Sequence, residues 1–161
     1  MCVGQGQSSS RLALSQPART VFVFKKGRVP HRNNVELGRY GRNRTNVWRY
    51  SGPHGFGRPG EEGNLAALHP TVKPVALIAD TLLDASARGD LVLDPFLGSG
   101  STLLAAERVG RRGRGIELDP LYVDVAIRRW QQFCGDSAIH AATGNRFDEL
   151  IRDEDSHGQE G

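Results

Sequence analysis

The sequence LVLDPFLGSGST at residues 91–102 decides the fold of the chain around it. Its first three residues, Leu91 to Leu93, are apolar and β-favouring, which predicts a buried strand. Asp94-Pro95 ends this strand, and a glycine-bracketed loop, Gly98-Ser99-Gly100, follows. The apolar spacing after the loop predicts a helix, whose first turn Ser101 and Thr102 can cap. A strand, a tight glycine loop and a helix N-terminus typically hold a nucleotide-like ligand at the carboxyl end of a parallel sheet.

A second strand is predicted after this helix, at residues 115–118 (GIEL). Glu117 lies about twenty residues beyond the loop, the spacing at which a carboxylate reaches the two hydroxyls of a ribose. The loop lacks the parts that grip phosphates, because Leu103 stands where the dinucleotide fingerprint needs glycine and no lysine follows Gly100. An adenosine without phosphates therefore fits better, and S-adenosylmethionine is the commonest cofactor of that kind.

Three blocks of the sequence resemble the amino-methylating DNA methyltransferases, which act on adenine N6 or cytosine N4. Residues 94–102 (DPFLGSGST) are similar to the cofactor-binding motif of that family. Residues 69–74 (HPTVKP) are similar to the block that precedes it in the class whose catalytic motif comes first, and residues 115–120 (GIELDP) with Tyr122 and Ala126 are similar to the next element. The resemblance implies an α/β chain with a Rossmann-like S-adenosylmethionine-dependent methyltransferase fold, in which an incomplete parallel-type sheet is flanked by helices.

The resemblance also implies which residues hold the cofactor. Asp94 accompanies the methionine portion, where an anion suits the sulfonium and amino groups, and Thr71 and Lys73 lie beside the same end. Glu117 binds the ribose, and Phe96 contacts the adenine ring. Taken singly, these residues have other interpretations: an acid before proline often caps a turn, Phe96 suits a core, and a lone lysine is ordinarily exposed. The expected cofactor-binding residues are Asp94, Pro95, Phe96, Gly98, Gly100, Ser101, Thr102, Glu117, Thr71 and Lys73.

Charge is unevenly distributed along the 161 residues, whose net charge is +3. Residues 11–58 contain eleven Lys or Arg and one acid, whereas residues 148–160 contain six acids and one arginine. A basic block suggests an anionic partner such as DNA, although composition alone fits equally well a solvated loop anchored by Trp48. The RTNVW run at residues 44–48 recurs at this place in the family, which favours a segment that faces double-stranded DNA. The expected DNA contacts are Arg42, Arg44, Asn46, Lys25 and Lys26.

The chain is expected to divide into four segments. These are a flexible leader at 1–18, a strand plus the basic DNA-facing segment at 19–68, the S-adenosylmethionine-binding subdomain at 69–145, and an acidic disordered tail at 146–161. The strand of the second segment is predicted over residues 20–27 (TVFVFKKG) from its β-branched and aromatic residues.

Two further helices are predicted inside the third segment. One is entered at Pro74 and has a core face formed by Val75, Ile78, Ala79, Leu82 and Leu83. The other runs over residues 121–133, begins after Asp119-Pro120, and places its aromatic residues in the core. The arginines at 111, 112, 114, 128 and 129 are interpreted as solvated, with contact to the DNA backbone as the alternative.

Composition excludes several classes of protein. The two cysteines, Cys2 and Cys134, do not have metal-site spacing, so no metal is expected and a reduced cytoplasmic setting is the default. The sequence has neither a long apolar run nor a signal peptide, so no membrane association is expected.

The family's catalytic residues are not found in the sequence. An Asp/Asn/Ser-Pro-Pro-aromatic tetrad holds the target amine in that family, and the chain contains no Pro-Pro pair. Residues 94–96 (DPF) are only superficially similar, because the glycines after them assign them to the cofactor loop. No catalytic residue is therefore assigned. The chain is expected to be the carboxyl-terminal part of a methyltransferase, inactive alone, with a separate chain as one source of the catalytic half.

The resemblance thus predicts S-adenosylmethionine-dependent methylation of an exocyclic amino group of a DNA base, with adenine N6 favoured over cytosine N4. The alternative is an inactive DNA-binding or partner-binding remnant. A methyltransferase for RNA or protein is disfavoured because the basic segment and all three blocks match the DNA family. A nicotinamide enzyme is disfavoured by Leu103.

Overall fold

The structure, a computed structural model, describes residues 21–28, 30–36, 39, 45, 47–50 and 72–150. The chain divides into two units between His31 and Arg32, and each is described by itself. In the first unit, residues 21–26 form neither helix nor strand, and Val21, Phe22, Val23 and Phe24 are 68–87% exposed. The strand predicted over residues 20–27 is therefore wrong. β-Branched and aromatic residues favour an extended backbone, but a strand also needs a neighbouring strand to accept and donate its hydrogen bonds.

The second unit contains three helices and two strands between residues 75 and 134. In chain order these are α1 (Val75–Ala85), β1 (Leu91–Asp94), α2 (Ser101–Arg108), β2 (Arg112–Gly115) and α3 (Pro120–Cys134). The two strands pair in parallel, with Leu91 opposite Arg112 and Asp94 opposite Gly115. Because α2 connects them, β1, α2 and β2 form a βαβ unit. The predicted α/β class is confirmed, as an incomplete Rossmann-like fold with a small parallel sheet and flanking helices.

Strand β2 begins three residues earlier than the predicted second strand at 115–118. Its sequence, RGRG, has no β-branched or aromatic residue, so a propensity pattern does not detect it. The close packing of α2 explains one of its glycines: a Cβ at Gly113 would lie 2.7 Å from Leu103 Cδ2. The strand is therefore defined by its pairing with β1 and by the approach of the helix, both of which are tertiary contacts.

The two faces of β1 differ in exposure. Leu91 and Leu93 are 60% and 61% exposed, whereas Val92 and Asp94 are half-buried. The prediction that Leu91 to Leu93 form a buried strand is therefore wrong for one face of the sheet, which no described residue covers. An apolar run does not by itself distinguish a strand buried on both faces from one buried on a single face.

The core lies between α1 and α2. Val75 and Ala79 of α1 pack with Leu104 and Ala105 of α2, and partly buried side chains surround them: Ile78, Leu82, Val109 and Trp130. The predicted core face of α1 is confirmed except at Leu83, which is exposed because it follows Leu82 by one position and so lies about 100° around the helix.

Helix α3 exceeds its predicted range by one residue at each end. Asp119 caps it by accepting a hydrogen bond from the Leu121 backbone N–H (2.9 Å), and Pro120 occupies the first turn. The prediction that Asp119-Pro120 starts this helix is confirmed. Phe133, which was predicted to be core, is exposed near the end of the helix.

Side chains of the polar segment before α1 tie it to that helix. The Asn34 side-chain amide donates to the carbonyl oxygens of Leu83 and Ser86, each at 2.7 Å. These carbonyls lie at the C-terminal end of α1, where a helix leaves backbone acceptors unsatisfied. The Tyr50 hydroxyl donates to Asp80 Oδ2 at 2.5 Å. Asn34 and Tyr50 are therefore hydrogen-bonded to α1 and to its C-cap residue.

The chain remains folded after α3. Ile139 pairs with Arg146 in an antiparallel bridge, and residues 147–150 are helical. The disorder predicted for the tail from residue 146 is therefore wrong for residues 146–150, while residues 151–161 and the predicted leader at 1–18 lie outside the described residues. None of the described helices is long and apolar enough to cross a membrane.

Candidate cofactor site

A cleft of about 520 Å³ lies where the carboxyl ends of β1 and β2 meet. This is the edge of a parallel sheet at which open α/β folds bind their ligands, and its volume is within the usual range of about 300–1,000 Å³ for ligand pockets. Its walls come from the segment after β1, the residues after β2 and the starts of α1 and α3. The lining residues are Lys73, Ile78, Asp94, Phe96, Leu97, Gly98, Ser99, Ser101, Thr102, Glu117 and Tyr122.

Asp94 is the last residue of β1 and fastens the loop that follows. Its Oδ1 atom accepts from the Phe96 backbone N–H at 3.0 Å, and its Oδ2 atom accepts from the Thr102 hydroxyl at 2.6 Å. The turn-capping interpretation of Asp94, left open by the sequence, describes the first of these bonds. The carboxylate thus connects the strand end both to the turn and to the first turn of α2, at the wall of the cleft.

Glu117 holds the other side of the loop. It lies two residues beyond the end of β2, and its Oε2 atom accepts from the Gly98 backbone N–H at 2.6 Å. Its Oε1 atom accepts from the backbone N–H groups of Leu118 (2.9 Å) and Asp119 (3.1 Å). Three backbone donors therefore set the position of one carboxylate on the cleft wall.

Gly100 makes the sharp entry into α2. It occupies the N-cap position with φ 83°, and a Cβ there would lie 2.8 Å from Ala126 Cβ in α3. The prediction that Ser101 and Thr102 cap the helix is wrong, because the cap residue is a glycine and no side chain caps it. The Ser101 hydroxyl accepts from Arg129 and the Thr102 hydroxyl donates to Asp94, and both Ser101 and Thr102 line the cleft.

Arg129 lies behind the loop. It was interpreted as solvated, but it is 7% exposed, and its Nη1 atom donates to the Ser99 carbonyl (2.5 Å), the Ser99 hydroxyl (3.1 Å) and the Ser101 hydroxyl (3.4 Å). The spacing of Tyr122, Ala126 and Arg129 could have found it, because residues at i, i+4 and i+7 share one face of a helix. Its neighbour Arg128 is exposed, as predicted, and lies 6.0 Å from the centre of the Phe147 ring.

Comparison with known proteins identifies the family to which the chain belongs. The family model for the N6 and N4 DNA methylases (N6_N4_Mtase, described as DNA methylase) matches residues 5–128, which is most of the chain. The chain belongs to this family. The resemblance read from the three sequence blocks is thereby confirmed.

Individual relatives of this methylase chain are considerably longer than it is. The Type II methyltransferase M.HpaI of Haemophilus parainfluenzae is 34% identical over 118 residues, which are 70% of this chain and 34% of the relative. The Type II methyltransferase M.HinfI of Haemophilus influenzae is 35% identical over 119 residues, 73% of this chain and 31% of the relative. The methylase chain thus spans about a third of the length of these relatives.

Solved structures of methyltransferases are also similar to the chain. One of them is the crystal structure of the M1.HpyAVI–SAM complex, which is 34% identical to this chain. The match covers 55% of this chain and 42% of the M1.HpyAVI chain, with a TM-score of 0.41.

The structure brings most of the expected cofactor residues together. Seven of them line the cleft: Lys73, Asp94, Phe96, Gly98, Ser101, Thr102 and Glu117. Pro95 and Gly100 shape the loop without lining the cleft, and Thr71 lies outside the described residues. Phe96 is 88% exposed, so the alternative that placed it in the core is wrong. Its ring offers a flat apolar surface at the cleft.

Four lining residues were not among the expected cofactor residues. Leu97 and Ser99 belong to the loop itself, so their position follows once the loop is known. Ile78 and Tyr122 were assigned to the core from their helical spacing, and they reach the cleft because α1 and α3 both begin beside it.

Of the expected DNA contacts, Lys25 and Lys26 are among the described residues. Arg42, Arg44 and Asn46 are outside the described residues. Lys25 and Lys26 are exposed and belong to the first unit. Trp48 is half-buried, and its indole N–H donates to the Thr45 carbonyl at 2.8 Å. The described residues contain no group of three or more His, Cys, Asp or Glu side chains that could hold a metal ion.

Proposed function

We propose that the cleft binds S-adenosylmethionine and that the chain thereby serves the methylation of an exocyclic amino group of a DNA base. The observation that carries this proposal is the pair of carboxylates, Asp94 and Glu117, at the ends of two neighbouring parallel strands with an exposed aromatic ring beside them. Membership of the DNA methylase family supports it, and so does the relative M1.HpyAVI, whose structure is a complex with SAM.

The residues of the cleft fit the chemistry of this cofactor. Glu117 is an acceptor that suits the donor hydroxyls of a ribose. Asp94 supplies a negative charge for the sulfonium and amino groups, and Lys73, with Thr71, is assigned to the methionine end, where a cation suits its carboxylate. Phe96 offers a face for the adenine ring. The loop after β1 has Leu103 where the dinucleotide fingerprint needs glycine and no lysine after Gly100, which favours a nucleoside that carries no phosphate.

The cofactor supplies an activated methyl group, and the chain's own contribution is position. Held by Asp94, Glu117 and Phe96, the cofactor would supply a methyl carbon to a base nitrogen with the sulfur as leaving group, and the nitrogen would give up a proton. Holding the two reactants in line lowers the barrier. No catalytic residue is assigned here, because the sequence lacks the Pro-Pro tetrad that holds the amine in the family. The tetrad would come from another polypeptide segment, and we keep adenine N6 ahead of cytosine N4 as the target.

Calorimetric titration of the chain with S-adenosylmethionine tests this proposal. We expect binding by the natural sequence and a loss of at least about tenfold in affinity for Glu117→Ala, because charged hydrogen-bonding groups contribute about 1.5–3 kcal/mol. The matched control is Glu107→Ala, which removes an exposed glutamate of α2 outside the cleft. A folded chain that does not bind, or a Glu117→Ala variant that binds as well as Glu107→Ala, would contradict the proposal.

Double-stranded DNA is the proposed partner of the basic segment. Eleven cations against one acid in residues 11–58 favour phosphate contacts, and Lys25 and Lys26 are exposed. The same observation favours the second candidate function, a DNA-binding remnant. Affinity for duplex DNA that is steeply salt-dependent, in a chain that does not bind S-adenosylmethionine, would select the remnant. The DNA substrate also supports the proposed cytoplasmic location.

A further inference from the structure

The buried polar residues of the described chain form a single cluster behind the cofactor loop. Ser99, Ser101 and Arg129 are 5%, 6% and 7% exposed, and they are the polar or charged residues that are buried in the described part of the chain. All three are joined through Arg129 Nη1, which reaches the Ser99 carbonyl and both hydroxyls. A buried guanidinium is costly unless its donors are satisfied, so this arrangement demands a closely fitted set of acceptors.

Three side chains, those of Asp94, Glu117 and Arg129, hold the loop, each at different residues. Glu117 holds the backbone of Gly98, and Asp94 holds Phe96 and Thr102. Arg129 holds the residues in the middle, Ser99 and Ser101, which the two carboxylates do not contact in the described bonds. The middle is also where the chain turns into α2, and where both serines line the cleft. The shape of this cleft wall therefore depends on a residue that does not line the cleft.

One face of α3 packs against the middle of the loop. Tyr122, Ala126 and Arg129 follow at i, i+4 and i+7 on this face. Tyr122 lines the cleft, Ala126 is buried against Gly100, and Arg129 bonds to the serines on either side of that glycine. A small residue at Ala126 lets the loop approach the helix, and the long side chain one turn later reaches past it.

We propose that Arg129 is a positioning residue of the cofactor site, whose guanidinium keeps the loop from Gly98 to Thr102 in the shape that the cofactor requires. This inference rests on the proposed function for the identity of the ligand. The part of the inference that concerns the shape of the loop does not depend on the proposed function. The three cited bonds all come from Nη1, and charge-assisted bonds of this kind are shorter and stronger than bonds between neutral groups.

Two variants of Arg129 and two controls test the inference in the full chain. Arg129→Met keeps the length of the side chain and removes its donors, while Arg129→Lys keeps the charge and loses the fork. Arg128→Met removes the exposed arginine next to it on the same helix. Val109→Ala is a core control, because Val109 packs against the core cluster beyond the end of α2 and does not line the cleft.

Two readouts are needed: the affinity for S-adenosylmethionine, and the hydrogen exchange of the loop amides without cofactor. We expect Arg129→Met to weaken binding at least about tenfold and to speed exchange at Gly100 and Ser101, since it removes several hydrogen bonds of a charged group. Arg129→Lys should have an affinity and loop exchange rates between those of Arg129→Met and the natural sequence. Arg128→Met and Val109→Ala should bind as the natural sequence does, even though Val109→Ala lowers the melting temperature. If Arg129→Met does not fold, the intermediate values of Arg129→Lys provide the test.

Three results would overturn the inference. One is an Arg129→Met or Arg129→Lys variant that keeps both the affinity and the slow loop exchange of the natural sequence. Another is a Val109→Ala variant that loses affinity in the same proportion, which would mean a general effect of stability. The third is an equal effect of Arg128→Met. If the natural chain does not bind S-adenosylmethionine, the proposed function fails, and the loop exchange of the variants alone decides whether Arg129 positions the loop.

Discussion

Gly100 and Gly89 have almost the same backbone conformation and different surroundings. Their φ angles are 83° and 82°, but a Cβ at Gly100 would lie 2.8 Å from Ala126 Cβ, whereas a Cβ at Gly89 would have nothing within 4 Å. Both glycines relieve the strain that a side chain suffers at positive φ. Only Gly100 also makes room for α3, so the pair separates conformational strain from packing at the cofactor loop.

Alanine at each glycine provides the first prediction. Gly89→Ala should lower the free energy of unfolding by about 1–2 kcal/mol through strain alone. Gly100→Ala should lower it by about 1–3 kcal/mol more, the cost of overpacking a close contact. Chemical denaturation of the two variants measures the difference. Equal losses would show that Ala126 moves aside freely and that the loop is not clamped against α3.

The hydroxyl of Thr102 provides the second prediction. Asp94 is half-buried, and its Oδ2 atom accepts a hydrogen bond from the Thr102 hydroxyl at 2.6 Å. Thr102→Val removes this donor. The free energy of unfolding should fall by about 1–3 kcal/mol, because a partly buried acceptor loses its partner. The control is Thr81→Val, whose hydroxyl donates to a carbonyl of its own helix, Leu77, and which should have a smaller effect. A smaller loss at Thr102 than at Thr81 would contradict the role assigned to this bond.

Among the elements, the start of α3 provides the third prediction. Asp119 caps the helix through the Leu121 N–H, so Asp119→Ala should lower the free energy of unfolding by about 1 kcal/mol. Asp136→Ala, at an exposed position just after the helix, is the control and should change stability by less than about 0.5 kcal/mol. Urea denaturation followed by circular dichroism measures both. Equal values for the two variants would mean that Asp119 does not contribute as a cap.

How far each element could be predicted depends on where its signal lies. Helices α1 and α3 follow from apolar residues at helical spacing, and the loop follows from its glycines, because those signals are local. Strand β2 was not predicted at its true position, because RGRG forms a strand only through its pairing with β1. At residues 21–24 a strand was predicted from strong β-propensity, but no described strand pairs with these residues. Arg129 was missed because a charged side chain is ordinarily exposed, although its helical spacing from Tyr122 and Ala126 puts it on the face of α3 that meets the loop.

At the scale of the whole molecule, the distribution of charge provides the fourth prediction. If Lys25 and Lys26 each neutralise a phosphate, Lys25→Ala/Lys26→Ala should reduce the slope of log affinity against log salt by about 2 for duplex DNA, since each contact contributes about 0.9. The control replaces two exposed arginines of the other unit, Arg108→Ala/Arg128→Ala. Titrations at several salt concentrations measure the slopes. Equal reductions in the two variants would indicate attraction by net charge rather than contacts by the lysines.

The central claim is that the cleft at the ends of β1 and β2 is the cofactor site of this chain, and amide chemical shifts test it most directly. S-adenosylmethionine is titrated into the isotopically labelled full chain while the backbone N–H signals are followed. We predict that the largest shifts fall on the loop and the strand ends, at Gly98, Ser99, Ser101 and Glu117, with little change at residues 136–145. Shifts concentrated outside the cleft, or none in a folded chain, would contradict the account.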